Sequence, residues 1–146
     1  MIALDTNVLV YAHREDSLFH EAAAARVVEL AEAIAPWAIP WPCLHEFLAI
    51  VTHPRIYDPP TPLPKAIDQI EAWLASPSLR LIGEDPGYWP VLRKLLLESK
   101  VTGGRVHDAR VAALALRWSA SELWSADRDF SRFPAVRVVN PAARRA

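Results

Sequence analysis

The sequence contains one cysteine in 146 residues, Cys43. A lone cysteine excludes an intramolecular disulfide and suits a reducing compartment. No cluster of cysteines or histidines is present, so soft-metal chemistry finds no support. Long apolar runs are absent too. The longest stretch without a charged side chain, between Glu32 and Glu46, holds 13 residues, and Pro36, Pro40 and Pro42 interrupt it, which excludes a transmembrane helix there. Met1-Ile2-Ala3-Leu4-Asp5 lacks the basic start of a signal peptide and sets a carboxylate where such a peptide is apolar. The expectation is a soluble, cytoplasmic protein with no membrane association. Internal repeats and low-complexity tracts are also missing.

What is present is a chain of 52% apolar residues, enough for one sizeable core. Residues 1–140 are expected to form a single domain, with 141–146 as a fraying C-terminal tail. The net charge of −1 hides a polarity: residues 1–86 carry 12 Asp/Glu against 5 Lys/Arg, whereas residues 87–146 carry 5 against 11. That asymmetry suits a polyanionic partner for the second half, or simply a solvated mixed surface. The run Asp58-Pro59-Pro60-Thr61-Pro62-Leu63-Pro64 reads as a stiff surface connection.

Short apolar runs at Ile2-Ala3-Leu4, Trp37-Ala38-Ile39, Leu79–Ile82, Leu123-Trp124-Ser125 and Val136–Val139 read as strands. Between them lie helical segments: Val8–Ala12 behind a Thr6 or Asn7 cap, Leu18–Ala35, Pro42–Thr52, Pro64–Ala75, Pro86–Ser99 and His107–Ser119. In Leu18–Ala35, the residues Phe19, Ala23, Val27, Leu30 and Ile34 draw one apolar stripe. Strands alternating with helices predict an α/β fold, a mostly parallel sheet covered on both faces.

In such a sheet the ligand site lies at the carboxyl ends of the strands. Asp5 follows the first strand, and Asp127 and Asp129 follow Leu123-Trp124-Ser125. Glu46 shares a helix side with Cys43 and Ile50, while Asp108 continues the stripe of Val111, Ala115 and Trp118 into the first helical turn. There the helix dipole favours an anion by roughly 0.3–1 kcal/mol. Each acid has a plainer reading: Asp5 and Asp108 as helix caps, Glu46 as a surface acid, Asp127-Arg128-Asp129 as a hydrophilic turn. Convergence of all four on one mouth changes the balance. Two carboxylates 4 Å apart repel by about 4 kcal/mol at an effective dielectric near 20. A cluster of them calls for a cation, and oxygen-only ligands call for Mg²⁺ or Mn²⁺.

Four blocks carry a resemblance: Leu4-Asp5-Thr6-Asn7-Val8-Leu9-Val10-Tyr11-Ala12; His45-Glu46-Phe47; Gly103-Gly104-Arg105-Val106-His107-Asp108-Ala109 with Ala112-Ala113; and Ser125-Ala126-Asp127-Arg128-Asp129-Phe130. In this order and spacing they resemble the signature blocks of PIN-domain ribonucleases, most closely the toxin component of VapBC-type toxin–antitoxin pairs. The resemblance implies a three-layer α/β/α sandwich. It also implies a Mg²⁺-dependent endoribonuclease, with Mn²⁺ able to substitute, that cleaves RNA to block translation or growth. Asp5, Glu46, Asp108 and Asp127 would be the catalytic and metal-binding acids and Asp129 an auxiliary metal ligand. Thr6, Asn7 and Ser125 would support them. Expected partners are the RNA substrate, a cognate VapB-like antitoxin laid along a groove, and a second copy of the chain.

Arg105, Arg110, Arg128 and Arg132 flank the motifs as candidates for RNA contact, with salt bridges to nearby acids as the alternative. His107 is assigned a structural or RNA-contact role. Trp37, Trp41, Trp73 and Trp89 belong by default to the core, although together they suit a partner groove or base stacking. Two other functions compete: a catalytically silent module that docks antitoxin or RNA, and an aspartyl phosphatase built on Asp5. The phosphatase reading wants a second aspartate two residues on, where Asn7 stands.

Overall fold

The computed structural model describes residues 1–143. Five strands and six helices alternate: β1 (Ile2–Leu4), α1 (Thr6–His13), α2 (His20–Glu32), β2 (Trp37–Pro40), α3 (Trp41–Val51), α4 (Leu63–Leu74), β3 (Leu79–Ile82), α5 (Tyr88–Ser99), α6 (Arg105–Arg117), β4 (Glu122–Trp124) and β5 (Val138–Val139). A 3₁₀ turn, Arg128–Arg132, separates β4 from β5. Every strand pair is parallel, in the order β3-β2-β1-β4-β5. Residues 144–146 of the expected tail lie outside the described residues.

The topology places the site. From β1 the chain steps outward to β2 and β3, then returns across the sheet to set β4 on the other side of β1. Right-handed crossovers send α1–α4 to one face and α5–α6 to the other, giving three layers. The reversal leaves a crevice between the carboxyl ends of β1 and β4, where open parallel sheets bind ligands. The register puts Leu4 opposite Trp124, so Asp5 and Ser125 emerge side by side at that crevice.

Burial explains the apolar strands. Ala3, Leu4, Trp37, Ala38, Ile39 and Leu123 are fully enclosed, as strands covered on both faces must be. From Val111 to Ala115 every residue of α6 is buried, and the small alanines let this helix lie close against its neighbours. The edges are short or charged: β5 has two residues, and β3 exposes Arg80, which limits edge-to-edge pairing.

Most helix boundaries differ from expectation by one to three residues, α5 for example starting at Tyr88 and not Pro86, and three of the differences have a visible local cause. First, α1 begins at Thr6, with Asp5 as its N-cap in place of Thr6 or Asn7. Second, α2 runs only from His20 to Glu32, because Ala33 turns to extended backbone; the stripe expected to continue to Phe19 and Ile34 therefore keeps Ala23 and Val27 inside while both ends face solvent. Third, α6 starts two residues early, at Arg105, after Gly103 takes a left-handed conformation at φ 61°. The proline-rich connection is fastened down: Arg14 donates to the Pro59 carbonyl at 3.1 Å and stacks over Tyr57, and a His13 ring nitrogen lies 3.0 Å from the Thr61 hydroxyl.

Phe47 on α3 anchors this layer, fully buried with its ring edge-on to His13 and Trp73. Phe47→Ala is expected to destabilise the fold by about 3–5 kcal/mol. Urea unfolding should show a lower midpoint at unchanged slope; an unaltered midpoint refutes the packing role.

Candidate active site

Asp5 is the centre of the polar network at the crevice. The residue is buried, with 8% of its area exposed. Each carboxylate oxygen accepts two hydrogen bonds. Oδ1 takes the Thr6 amide at 2.8 Å and the Cys43 thiol at 3.7 Å. Oδ2 takes the Ser125 hydroxyl at 2.7 Å and the Asn7 carboxamide at 3.3 Å. The capping reading of Asp5 holds, and the same carboxylate is the hub of the polar network at the crevice.

Asn7 and Ser125 stitch the two strand ends together. The Asn7 carboxamide also donates to Ser125 Oγ at 3.1 Å, and its oxygen accepts the Ala126 amide at 3.1 Å. Ser125 Oγ accepts the Asp127 amide at 3.0 Å, and Asp127 in turn caps the 3₁₀ turn by accepting the Asp129 amide at 2.8 Å. Glu46 reaches in from α3, held by the Thr6 hydroxyl at 3.3 Å. Asp108 approaches from the first turn of α6 on the opposite face of the sheet.

These acids share one cavity of about 320 Å³, lined by Asp5, Thr6, Asn7, Glu46, Asp108 and Asp127 among others. All four acids singled out in the sequence thus line one mouth. Among the described residues, no three acidic, histidine or cysteine side chains already close on a common point. Asp129 sits outside that lining and is turned toward Arg105, whose guanidinium bridges Asp129 and Asp108. Glu46 is solvent-exposed, as its plainer reading held, while its side chain stands at the cavity rim.

The charges strain against one another. Burial raises the Asp5 carboxyl from 3.8 to about 6 despite the lowering effect of Ser125 and Thr6, and the negative Glu46 and Asp127 add to the rise. Burial also raises the Asp108 carboxyl above its ordinary value. Arg105 opposes that rise, while Asp127 and Asp129 reinforce it. The donor set suits a hard cation: every convergent acid is a carboxylate, and two of the four Asp5 contacts are long enough to be loosely held.

Residues 2–136 match the PIN domain family. The chain belongs to that family. Related PIN-domain proteins of Mycobacterium tuberculosis include Ribonuclease VapC48, 34% identical over 137 residues covering 94% of each chain. Ribonuclease VapC43 is 35% identical over 141 residues, covering 97% of this chain and 95% of the relative. The fold also matches a solved structure, VapBC2 from Rickettsia felis bound to a DNA fragment from their promoter. There the TM-score is 0.67 at 22% identity, across 96% of this chain and 98% of that one.

Within this PIN domain the flanking arginines divide. Arg105 pairs with Asp108 and Asp129, and Arg110 pairs with Glu84, so the salt-bridge alternative holds for both. Arg128 and Arg132 are exposed and pair with no acid among the described residues. His107 is exposed and lines the acidic cavity. Trp37 and Trp73 belong to the core, whereas Trp41 and Trp89 are exposed. Sequence reasoning missed the thiol of Cys43 as a donor to Asp5, although its position three residues before Glu46 put it on the same helix side.

A folded Asp5 that holds its proton more tightly than the unfolded chain stabilises the metal-free protein below pH 3.8. That stability is lost as pH rises through about 6. The interval corresponds to about 3 kcal/mol. In EDTA, Asp5→Asn should therefore gain stability relative to wild type between pH 4 and pH 7.5 in urea unfolding. A wild-type-to-variant difference that is constant across this range refutes the assignment.

Proposed function

We propose that this PIN-domain protein is a metal-dependent endoribonuclease of the VapC toxin type. On this reading Mg²⁺ is its resident cation and Mn²⁺ a substitute. The observation that carries it is the meeting of Asp5, Glu46, Asp108 and Asp127, from four distant segments, in one cavity at the β1/β4 crevice. The VapC ribonucleases related along nearly the whole chain support the same substrate class.

A bound divalent cation supplies an activated water and charge neutralisation at the scissile phosphate. The protein's part is to hold the ligands. Asp5 is fixed by Thr6, Ser125, Asn7 and Cys43, and Asp127 by the Ser125 hydroxyl on its amide. Glu46 and Asp108 lean in from opposite helical layers, with Asp129 as an auxiliary acid beside Asp108. In-line attack by water on phosphorus, with departure of the 3′ oxygen, leaves a 5′-phosphate and a 3′-hydroxyl. Arg128 and Arg132, on the turn that follows Asp127, would meet the RNA backbone and offset the acidic mouth.

Cleavage of RNA would block translation or growth, and a VapB-like antitoxin would restrain it in the cytoplasm. The Rickettsia felis complex supports such a pairing. No helix among the described residues is long and apolar enough to cross a membrane. Exposed apolar residues, including Ile67 and Leu74 on α4 and Trp89 and Leu97 on α5, are available to antitoxin and to a second copy of the chain.

Purified protein should cleave RNA with added Mg²⁺ or Mn²⁺ and stop in EDTA. Asp5→Asn and Asp108→Asn should each lower the rate by about a hundredfold or more, since loss of outer-sphere groups alone commonly costs ten- to a hundredfold. Circular dichroism should show both variants folded. Cleavage that persists in EDTA, or in either folded variant, overturns the proposal.

A further inference from the structure

A cation already stands beside the acidic mouth, and it is a side chain. Arg105 occupies the first position of α6, directly after Gly103-Gly104, and its Nη1 contacts both Asp108, at 3.4 Å, and Asp129. These two acids come from different elements, α6 and the 3₁₀ turn after β4. A single guanidinium therefore joins Asp108, which lines the mouth, to Asp129 just outside it, and offsets charge where a divalent ion would otherwise be needed. Both contacts come from one guanidinium nitrogen, so the two acids draw on the positive charge at this point and not on the arginine fork.

Arg105 is also able to leave. Its side chain is 42% exposed, and Asp108 and Asp129 are 26% and 41% exposed, so no packing locks it in place. The two preceding glycines present no side chains, and a Cβ added at either would meet nothing within 4 Å. Ion pairs this exposed are weak and exchange readily.

We propose that Arg105 is a built-in counter-cation of the metal-free site, which holds Asp108 and Asp129 until a divalent ion displaces it. This rests on the metal-dependent reading above and adds an intramolecular competitor to it. Arg105 is thus a positioning residue: it keeps mutually repelling acids together in the empty site and lowers the apparent affinity for the ion.

The test compares Mn²⁺ binding by isothermal titration with thermal unfolding in EDTA, for wild type, Arg105→Gln, Arg105→Lys and Arg110→Gln. Arg110 is paired with Glu84, so its replacement controls for simple removal of a nearby positive charge. Arg105→Gln should bind Mn²⁺ about three- to tenfold more tightly than wild type, a range set by a partly exposed ion-pair network, and should melt earlier in EDTA. Arg105→Lys keeps a cation that can face both acids and should stay close to wild type in both measurements, which separates the charge at this position from the shape of the side chain. If Arg105→Gln binds Mn²⁺ like wild type, or Arg110→Gln gains as much as Arg105→Gln, the counter-cation role is wrong and the metal site stands. If none of the four proteins binds Mn²⁺, both readings fall.

Discussion

A carboxylate enclosed at the end of a central strand dictates much of this molecule. Asp5 cannot be solvated where it sits, so its oxygens must be satisfied from within, and four donors do so. Those donors come from three places: the start of α1, the first turn of α3 and the end of β4. Satisfying one side chain therefore fixes how the two halves of the sheet meet. Ser125 serves twice, donating to Asp5 while accepting from the Asp127 amide, so the acid on β1 and the acid after β4 are positioned by one hydroxyl.

The hydrogen bonds do not remove the electrostatic problem. Burial and the neighbouring acids hold Asp5 up near 6 even with its donors in place. The chain answers with cations at the periphery. Arg105 and Arg110 are tied to acids at the rim, whereas Arg128 and Arg132 stay in solvent beside the same mouth. The basic second half noted in the sequence is therefore partly internal neutralisation and partly available surface. Charge counting alone could not divide the two, because it contains no distances.

Strands such as Trp37-Ala38-Ile39 were legible because continuous apolar runs have only one comfortable place, between two helical layers. The convergence of Asp5, Glu46, Asp108 and Asp127 was legible because strand ends and helix stripes put all four at one edge. The limits of α2 were not, since Phe19 and Ile34 continue the apolar period past the point where the backbone leaves the helix. Nor was the partner of Asp129 predictable. The acid-rich turn looked like part of the metal set, but its guanidinium neighbour lies on α6, and contact between the two depends on tertiary placement. The exposure of Trp41 and Trp89 beside the burial of Trp37 and Trp73 is likewise settled by packing and not by residue type.

The placement of β4 beside β1 has a consequence for biosynthesis. The first strand enters at residues 2–4, yet its neighbour on the reactive side arrives only at residues 122–124. A ribosome must therefore emit everything from Asp5 through Asp127 before the crevice can exist. Until then Asp5 lacks its Ser125 partner and the crevice lacks Asp127, so the four-acid mouth is completed only late in synthesis.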